Sequence, residues 1–183
     1  MVRKMQSESN DIIFVKIWRT GQKEELNLVG SYWDVKDEAR YTKIVEELKR
    51  IIQQNNYAVL VGDYNAHLFE MDGRKNKNGD KLREVVEDEG LIMVNKTQKF
   101  KGYYTWERNG VRTVIDYAMV KENDWERVVR MEVDEDRKVD VKSGHKMICI
   151  ELGWKGRFVR KEKNKEVKRN YYSKNQKDLN IFA

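Results

Sequence analysis

The amino-acid sequence predicts an α/β fold in which strands outnumber helices. Short β-branched apolar runs recur along the chain, one segment has the apolar spacing of a helix, and an Asn-Gly dipeptide between two strand-like runs marks a hairpin. The chain has 183 residues, of which 39% are hydrophobic. That length suits one domain with a tail, and that apolar fraction excludes wholesale disorder.

The first half of the chain predicts three strands and one long helix. Residues 11–17 and 26–32 are apolar runs on either side of a turn at Gly21, which predicts a hairpin. Residues 37–54 have apolar side chains at helical spacing, and residues 57–62 are uniformly apolar, as in a strand buried on both faces. A polar loop is expected at 70–79.

The second half predicts one short helix and several strands. The helix runs from Asp80 to Glu89 and stops at Gly90, and residues 91–94 form a buried strand. Residues 105–120 form a hairpin turning at Asn109-Gly110, and further strands cover 127–133 and 147–152. The order is therefore β-β-α-β-α followed by strands only, an α/β arrangement dominated by sheet.

Positive charge is concentrated near the C-terminus. Residues 155–178 hold ten basic and three acidic side chains, a net charge of +7, so the rest of the chain carries −1 of the total of +6. A basic segment of this kind is attracted to nucleic-acid phosphates or anionic membranes, and it is equally common as a solvated tail.

The sequence excludes a protein that spans a membrane by helices and disfavours a secreted protein. No apolar run approaches the ~20 residues that a membrane helix needs, so no membrane partner is expected. The lone Cys149 cannot form an internal disulfide, which favours a reducing compartment, nuclear or cytoplasmic, over secretion.

Candidate catalytic side chains follow the ends of predicted strands. Asp63 and Asn65 come directly after the buried strand, two residues apart, so in extended backbone they face the same side. A carboxylate and an amide on one face suit a hard metal ion or a phosphate with its attacking water, although the same pair is also common in turns.

Asp116 and His145 form a second candidate pair. Asp116 lies in an apolar strand, where a carboxylate is costly unless it has a partner or faces solvent at an edge. His145 precedes the final strand and could be an ordinary loop residue. A carboxylate that orients an imidazole toward a scissile phosphate would explain both positions.

Taken together, these motifs resemble one family, the endonuclease/exonuclease/phosphatase superfamily, and within it the apurinic-type endonuclease domain of non-LTR retrotransposons. The matching stretches occur in the family's order at Val61–His67, Asn76–Leu82, Leu91–Asn95, Tyr104–Trp106, Ile115–Tyr117 and Ser143–Leu152. The resemblance covers residues 11–153, an incomplete domain between a disordered start at 1–10 and a basic tail or linker at 154–183.

The resemblance implies a partial four-layer α/β sandwich of the DNase-like type, with mostly antiparallel sheet, flanking helices and the N-terminal strands missing. It also implies Mg²⁺-dependent (or Mn²⁺-dependent) phosphodiester hydrolysis, with a weakly bound ion. The implied partners are DNA and a reverse transcriptase domain of the parent element.

The resemblance assigns roles to five candidate catalytic residues. Asp63 orients or activates the attacking water and is a weak metal ligand, while Asn65 binds the phosphate or positions Asp63. His145 contacts the scissile phosphate, Asp116 orients His145, and Tyr32 contacts the phosphate. These roles are expectations that follow from the resemblance alone.

Three further residues complete the assignment. Thr105 and Trp106 are expected to support the DNA-facing loop and to contribute to substrate binding, together with the Asn65 amide. His67 is expected to be structural, because its spacing suggests no catalytic role.

The sequence departs from the family pattern at three points. Gly144 stands where the family's Ser-Asp-His motif has its Asp. Asp34 stands where the family's Tyr-x-Pro motif, which begins at Tyr32, has its Pro. The strand that carries the family's metal-binding Glu has no counterpart before residue 11. We therefore expect a weak or inactive endonuclease domain, with a non-catalytic nucleic-acid-binding remnant acting through the basic tail as the alternative.

Overall fold

The computed structural model describes residues 1–18, 20–21, 24–33, 37–139 and 142–153 of the chain. Asp34 and the predicted tail at 154–183 lie outside these residues. Three helices occur in the described part of the chain: α1 (Glu38–Gln54), α2 (Phe69–Asp72) and α3 (Lys77–Asp88). Short 3₁₀ turns cover Val94–Lys96 and Glu122–Arg127.

The strands of the described residues form two packed sheets and a separate hairpin. In chain order they are β1 (Val2–Lys4), β2 (Ile12–Trp18), β3 (Glu25–Tyr32), β4 (Ala58–Asp63), β5 (Leu91–Met93), β6 (Phe100–Lys101), β7 (Trp106–Arg108), β8 (Val111–Thr113), β9 (Asp116–Lys121), β10 (Val128–Val133) and β11 (Ile148–Leu152). One sheet has the order β1-β2-β3-β4-β9-β5, the other has the order β11-β10-β6, and β7 pairs with β8. Every pairing is antiparallel except β3 with β4 and β10 with β6.

The larger sheet is covered by helices on one face and by the smaller sheet on the other. On the helix side, Ile44 and Leu48 of α1 and Leu82 of α3 pack in one core cluster with sheet residues. On the other side, Val59 of β4 and Met131 of β10 belong to a second cluster between the sheets. The predicted α/β class with mostly antiparallel sheet is therefore confirmed.

Part of the larger sheet's inner face is exposed. Ile13 alternates along β2 with Ile12 and Phe14, which are buried on the helix side, so Ile13 faces the side of the smaller sheet. Ile13 is 54% exposed, and Val2 is 60% exposed on the same face. The three-stranded sheet thus leaves an apolar strip uncovered along β1 and β2.

The prediction of a disordered start at residues 1–10 is wrong. β1 pairs antiparallel with β2, with Val2 opposite Ile17, and the carboxylate of Glu47 on α1 accepts hydrogen bonds from the backbone amides of Glu8 and Ser9. Local sequence gave no strand signal here, because β1 forms by pairing with the edge of β2.

The predicted polar loop at 70–79 is also wrong in part. It contains α2 and the first turn of α3, which starts at Lys77 instead of Asp80. The earlier start follows from the Asn76 side chain, which caps α3 by accepting a hydrogen bond from the amide of Gly79. The bounds predicted for α1 and the hairpin turn at Asn109-Gly110 agree with the structure.

Candidate functional site

Three candidate side chains lie next to one another across the strands of the larger sheet. Tyr32 at the end of β3 is paired with Asp63 at the end of β4, and Asp63 is opposite Asp116 at the start of β9. Because directly paired residues project from the same face of a sheet, these side chains share one face. The register therefore brings together residues that are distant in the sequence.

His145 joins this group from the loop before β11. Its Nδ1 lies 3.0 Å from Oδ1 of Asp116, and its Nε2 lies 3.7 Å from Oδ2 of Asp63. The backbone of His145 is fixed by a bridge to Trp106 in β7. Within the described part of the chain, Asp63, Asp116 and His145 form a cluster with potential metal-ligand atoms all within 4.8 Å of one another.

Asp63 and His145 both have shifted pKa values. Burial, together with the neighbouring Asp116 carboxylate, raises the pKa of Asp63 to about 6, although the Asn65 amide and His145 oppose the shift. The hydrogen bond to Asp116 raises the pKa of His145 above its ordinary value in spite of burial. The charged form of the imidazole is therefore favoured, while Asp63 takes up a proton more readily than an exposed carboxylate does.

The loop after β4 fixes Asn65 beside Asp63. Asn65 has a positive φ of 45°, its backbone amide donates to Oδ1 of Asp63 at 3.0 Å, and its Nδ2 donates to the carbonyl of Trp33 at 3.0 Å. An Asn tolerates this left-handed conformation better than most residues. Of the two roles that the sequence left open for Asn65, these contacts favour positioning Asp63.

Thr105 supports the backbone of Asp116 from inside the core. It is fully buried, and its Oγ1 accepts hydrogen bonds from the amides of Ile115 and Asp116, both at 3.1 Å. This side chain has no surface for direct contact with a substrate, so its contribution is to hold the start of β9.

Asn95 also supports the backbone of Asp116. It lies in the matching stretch Leu91–Asn95, but the motif alone suggests no role for it. Its buried side chain donates to the carbonyl of Asp116 at 3.1 Å and accepts from the amide of Ala118 at 2.9 Å. A polar residue just after a buried apolar strand is the signal that could have identified it, because such a residue must find partners inside the fold.

Trp106 packs against Gly144. A Cβ atom at Gly144 would lie 2.6 Å from Nε1 of Trp106, so the indole occupies the space that a larger residue 144 would need. The position that carries an Asp in the Ser-Asp-His motif therefore supplies no ligand atom and has a tryptophan ring against it.

His67 forms a side-chain hydrogen bond with Asp72. Its Nδ1 lies 2.6 Å from Oδ2 of Asp72 in α2, and its backbone amide donates to the side chain of Asn76. These contacts link α2 and α3 to the loop after β4, in line with the structural role expected for His67.

The donor set of the cluster fits the divalent cation that the resemblance implies. The carboxylate oxygens of Asp63 and Asp116 are the ligand type that Mg²⁺ and Mn²⁺ prefer. Both ring nitrogens of His145 already face carboxylates, so the oxygen atoms are the donors available to a cation. The raised pKa of Asp63 agrees with this, because added positive charge would favour the ionised carboxylate.

Comparison with known proteins identifies the family. The model of the endonuclease-reverse transcriptase family matches residues 26–149. A comparison with curated protein sequences gave no match. No helix among the described residues has the length and apolar character needed to cross a membrane.

Solved structures identify the fold. The chain is similar to the endonuclease domain of TRAS1, a telomere-specific non-LTR retrotransposon, with a TM-score of 0.66 and 20% identity over 85% of this chain and 70% of that one. It is also similar to the Neisseria 3′ phosphatase NExo bound to a product DNA hairpin, with a TM-score of 0.60 and 14% identity over 84% of this chain and 70% of that one. The AP endonuclease LMAP from Leishmania major matches with a TM-score of 0.63 and 13% identity over 79% of this chain and 55% of that one.

These similarities confirm the expected DNase-like arrangement of two sheets with flanking helices. The family match spans both strands that carry the aspartates and extends past His145. The chain belongs to the endonuclease-reverse transcriptase family and has the fold of the endonuclease/exonuclease/phosphatase nucleases.

Proposed function

We propose that the chain hydrolyses phosphodiester bonds in DNA with the help of Mg²⁺ or Mn²⁺, at a low rate. The observation that carries this proposal is the imidazole of His145 held between the carboxylates of Asp63 and Asp116 at one end of the larger sheet. A cation held by the two carboxylates would supply Lewis-acid stabilisation of the phosphoryl oxygens.

In this proposal Asp63 orients the attacking water and accepts its proton. The pKa of about 6 belongs to the metal-free protein, and a bound cation would lower it, so that Asp63 is ionised and able to accept the proton. The Asn65 amide donates to Oδ1 of Asp63 and holds the carboxylate in place.

His145 and Tyr32 act on the phosphate itself. The hydrogen bond to Asp116 favours the charged imidazole, which stabilises negative charge on the pentacovalent transition state through Nε2. Tyr32, next to Asp63 in the strand register and 45% exposed, can donate its hydroxyl to a phosphate oxygen. Trp106 borders the same face through its bridge to His145.

The low rate follows from Gly144. Loss of one member of a catalytic unit commonly costs ~10²–10³ in rate. In this chain the position offers no carboxylate, and the indole of Trp106 fills the space where one would project.

We further propose that residues 154–183 link this domain to a reverse transcriptase domain of the parent element and that the protein acts inside the cell, in the nucleus or cytoplasm. A second function is favoured by the charge distribution. The net charge of +7 in residues 155–178, against −1 elsewhere, suits a nucleic-acid-binding remnant that works through this tail without cleavage.

Nicking of supercoiled plasmid and of an abasic oligonucleotide tests the proposed nuclease. The wild-type chain in Mn²⁺ or Mg²⁺ should nick slowly, Asp63→Asn and His145→Ala should abolish nicking, and Asp88→Asn, at an exposed ion pair with Lys49, should have no effect. Nicking that is absent in the wild type, or that survives Asp63→Asn, would contradict the proposal.

The binding remnant makes a different prediction. DNA affinity should fall steeply with salt and should be lost when residues 155–183 are deleted, while the Asp63 and His145 variants bind normally. Affinity that survives the deletion would remove this second function.

A further inference from the structure

The first turn of α3 is tied to the loop that carries Asn65. Nδ2 of Asn76 donates to the carbonyl of Asn65 at 2.7 Å, and Nδ2 of the buried Asn78 donates to the carbonyl of Tyr64 at 2.8 Å. Two side-chain amides at the start of one helix therefore hold two successive peptide groups of the loop.

The oxygen and the nitrogen of the Asn76 side-chain amide make different contacts. Its Oδ1 accepts hydrogen bonds from the amide of Gly79, at 2.8 Å, and from the amide of His67, at 2.9 Å. The first of these caps α3, as an Asn, Asp or Ser at this position commonly does. The donation from Nδ2 to Asn65 is not needed for the cap, and it requires an amide.

The helix also approaches the loop unusually closely. A Cβ atom at Gly79 would lie 2.1 Å from the carbonyl oxygen of His67, so only glycine permits this distance between α3 and the loop. The Asn-x-Asn-Gly sequence at 76–79 thus combines close approach with two hydrogen-bond donors.

The loop needs such support because its conformation is disfavoured. Asn65 has a φ of 45°, in the left-handed region, and from there its backbone amide donates to Oδ1 of Asp63. The φ angle of Asn65 relates the two peptide groups on either side of its Cα, one held by Asn78 at the Tyr64 carbonyl and the other held by Asn76 at the Asn65 carbonyl. If Asn65 relaxed to a negative φ, one of these two peptide groups would have to rotate away from its partner.

We infer that Asn76 is a positioning residue, which holds Asn65 in the conformation that directs its backbone amide at Asp63. The inference rests on the proposed function insofar as Asp63 serves hydrolysis, but the ordering of the loop is independent of activity. Asn76 itself needs no contact with substrate.

The variant Asn76→Asp separates the two uses of this side chain. Aspartate keeps the acceptor for Gly79 and His67, so α3 stays capped, but it has no donor for the Asn65 carbonyl. The matched control is Asn55→Asp, because Nδ2 of Asn55 also donates to a main-chain carbonyl, that of Ile51, at 2.7 Å. Asn55 precedes β4 and therefore lies at the opposite end of this strand from Asp63.

Hydrogen exchange is the first measurement. In Asn76→Asp the amide of Asn65 should exchange about tenfold faster or more than in the wild type, while the amide of His67 keeps its protection. Asn55→Asp should leave both unchanged. Unchanged exchange at Asn65 in Asn76→Asp, or the same acceleration in Asn55→Asp, would overturn the inference whether or not the chain cleaves DNA.

Steady-state nicking is the second measurement. Asn76→Asp should lower kcat by about 10- to 100-fold with KM within about twofold of the wild type, because misplacing a catalytic group affects the transition state more than ground-state binding. The melting temperature should stay close to that of the wild type, because the aspartate still caps α3. Equal kcat in Asn76→Asp and the wild type would overturn the inference, whereas a wild-type chain without activity would overturn only the proposed function.

Discussion

Nδ1 of His145 lies 3.0 Å from Oδ1 of Asp116, across a sequence separation of 29 residues. This contact fixes the imidazole so that its other nitrogen faces Asp63, 3.7 Å away. A charged ring in this position partly offsets the repulsion between two neighbouring carboxylates. The Asp116 contact therefore places the imidazole where its charge acts on both carboxylates.

Replacement of Asp63 should stabilise the metal-free protein at neutral pH. The pKa of Asp63 is raised to about 6 in the folded state, so its contribution to stability is present at low pH and is lost as pH rises from about 4 to 6. In EDTA at pH 8, Asp63→Asn should raise the free energy of unfolding by about 1–3 kcal/mol. Urea denaturation at pH 8 and pH 4 measures this.

The gain should shrink toward zero at pH 4, where the wild-type carboxyl is protonated. A variant less stable than the wild type at pH 8 would contradict the assignment of Asp63 as a strained, desolvated carboxylate. Asp88→Asn, at an exposed ion pair, serves as the control and should show no such gain.

Replacement of Asp116 should lower the pKa of His145. Because the Asp116 hydrogen bond is the largest cause of the raised pKa, Asp116→Asn should move it back toward or below 6.5. In the wild type, the charged imidazole contributes stability below its unfolded-state pKa, and this contribution is lost as pH rises through the folded-state value.

An NMR titration of the imidazole resonances measures the shift. The chain has two histidines, so the spectrum of a His145→Ala variant assigns the resonances that belong to His145. An unchanged pKa of His145 in Asp116→Asn would show that the contact is not maintained in solution.

Introduction of Asp at position 144 should destabilise the fold unless Trp106 is also changed. The new Cβ would lie 2.6 Å from Nε1 of Trp106, so Gly144→Asp should cost about 1–3 kcal/mol in the wild-type background. In a Trp106→Ala background the same substitution should cost less. A double-mutant cycle measured by denaturation tests this, and equal costs in the two backgrounds would exclude the steric explanation.

Thr105→Val should lower the free energy of unfolding far more than Thr113→Val does. Thr105→Val leaves the amides of Ile115 and Asp116 without their acceptor, at a cost of about 1–3 kcal/mol. Thr113 is the matched control, because its buried hydroxyl has no hydrogen-bond partner among the described residues and Thr113→Val should be neutral or stabilising. Denaturation midpoints of the two variants measure this difference, and equal losses would contradict the assigned support of β9.

Sequence patterns predicted those parts of the structure that local interactions determine. The helix at Glu38–Gln54 follows from apolar spacing, and the hairpin turn at Asn109-Gly110 follows from backbone preference. β1 could not be predicted, because its formation depends on the edge of β2.

The candidate site shows the same division. Asp63, Asp116 and His145 were predicted from their positions at strand ends and from family resemblance. The supporting contacts of Asn76, Asn95 and Thr105 were not, since each joins segments that are separated in the chain and depends on how these segments pack in the fold.

The strand order also determines when this cluster can form during folding. Asp63 and Asp116 meet only after β4 has paired with β9, and His145 joins through a segment that comes near the end of the described chain. Contacts of such long sequence separation carry a loop-closure cost and typically form late. Recovery of the His145–Asp116 contact would therefore mark the completion of refolding, later than the formation of α1.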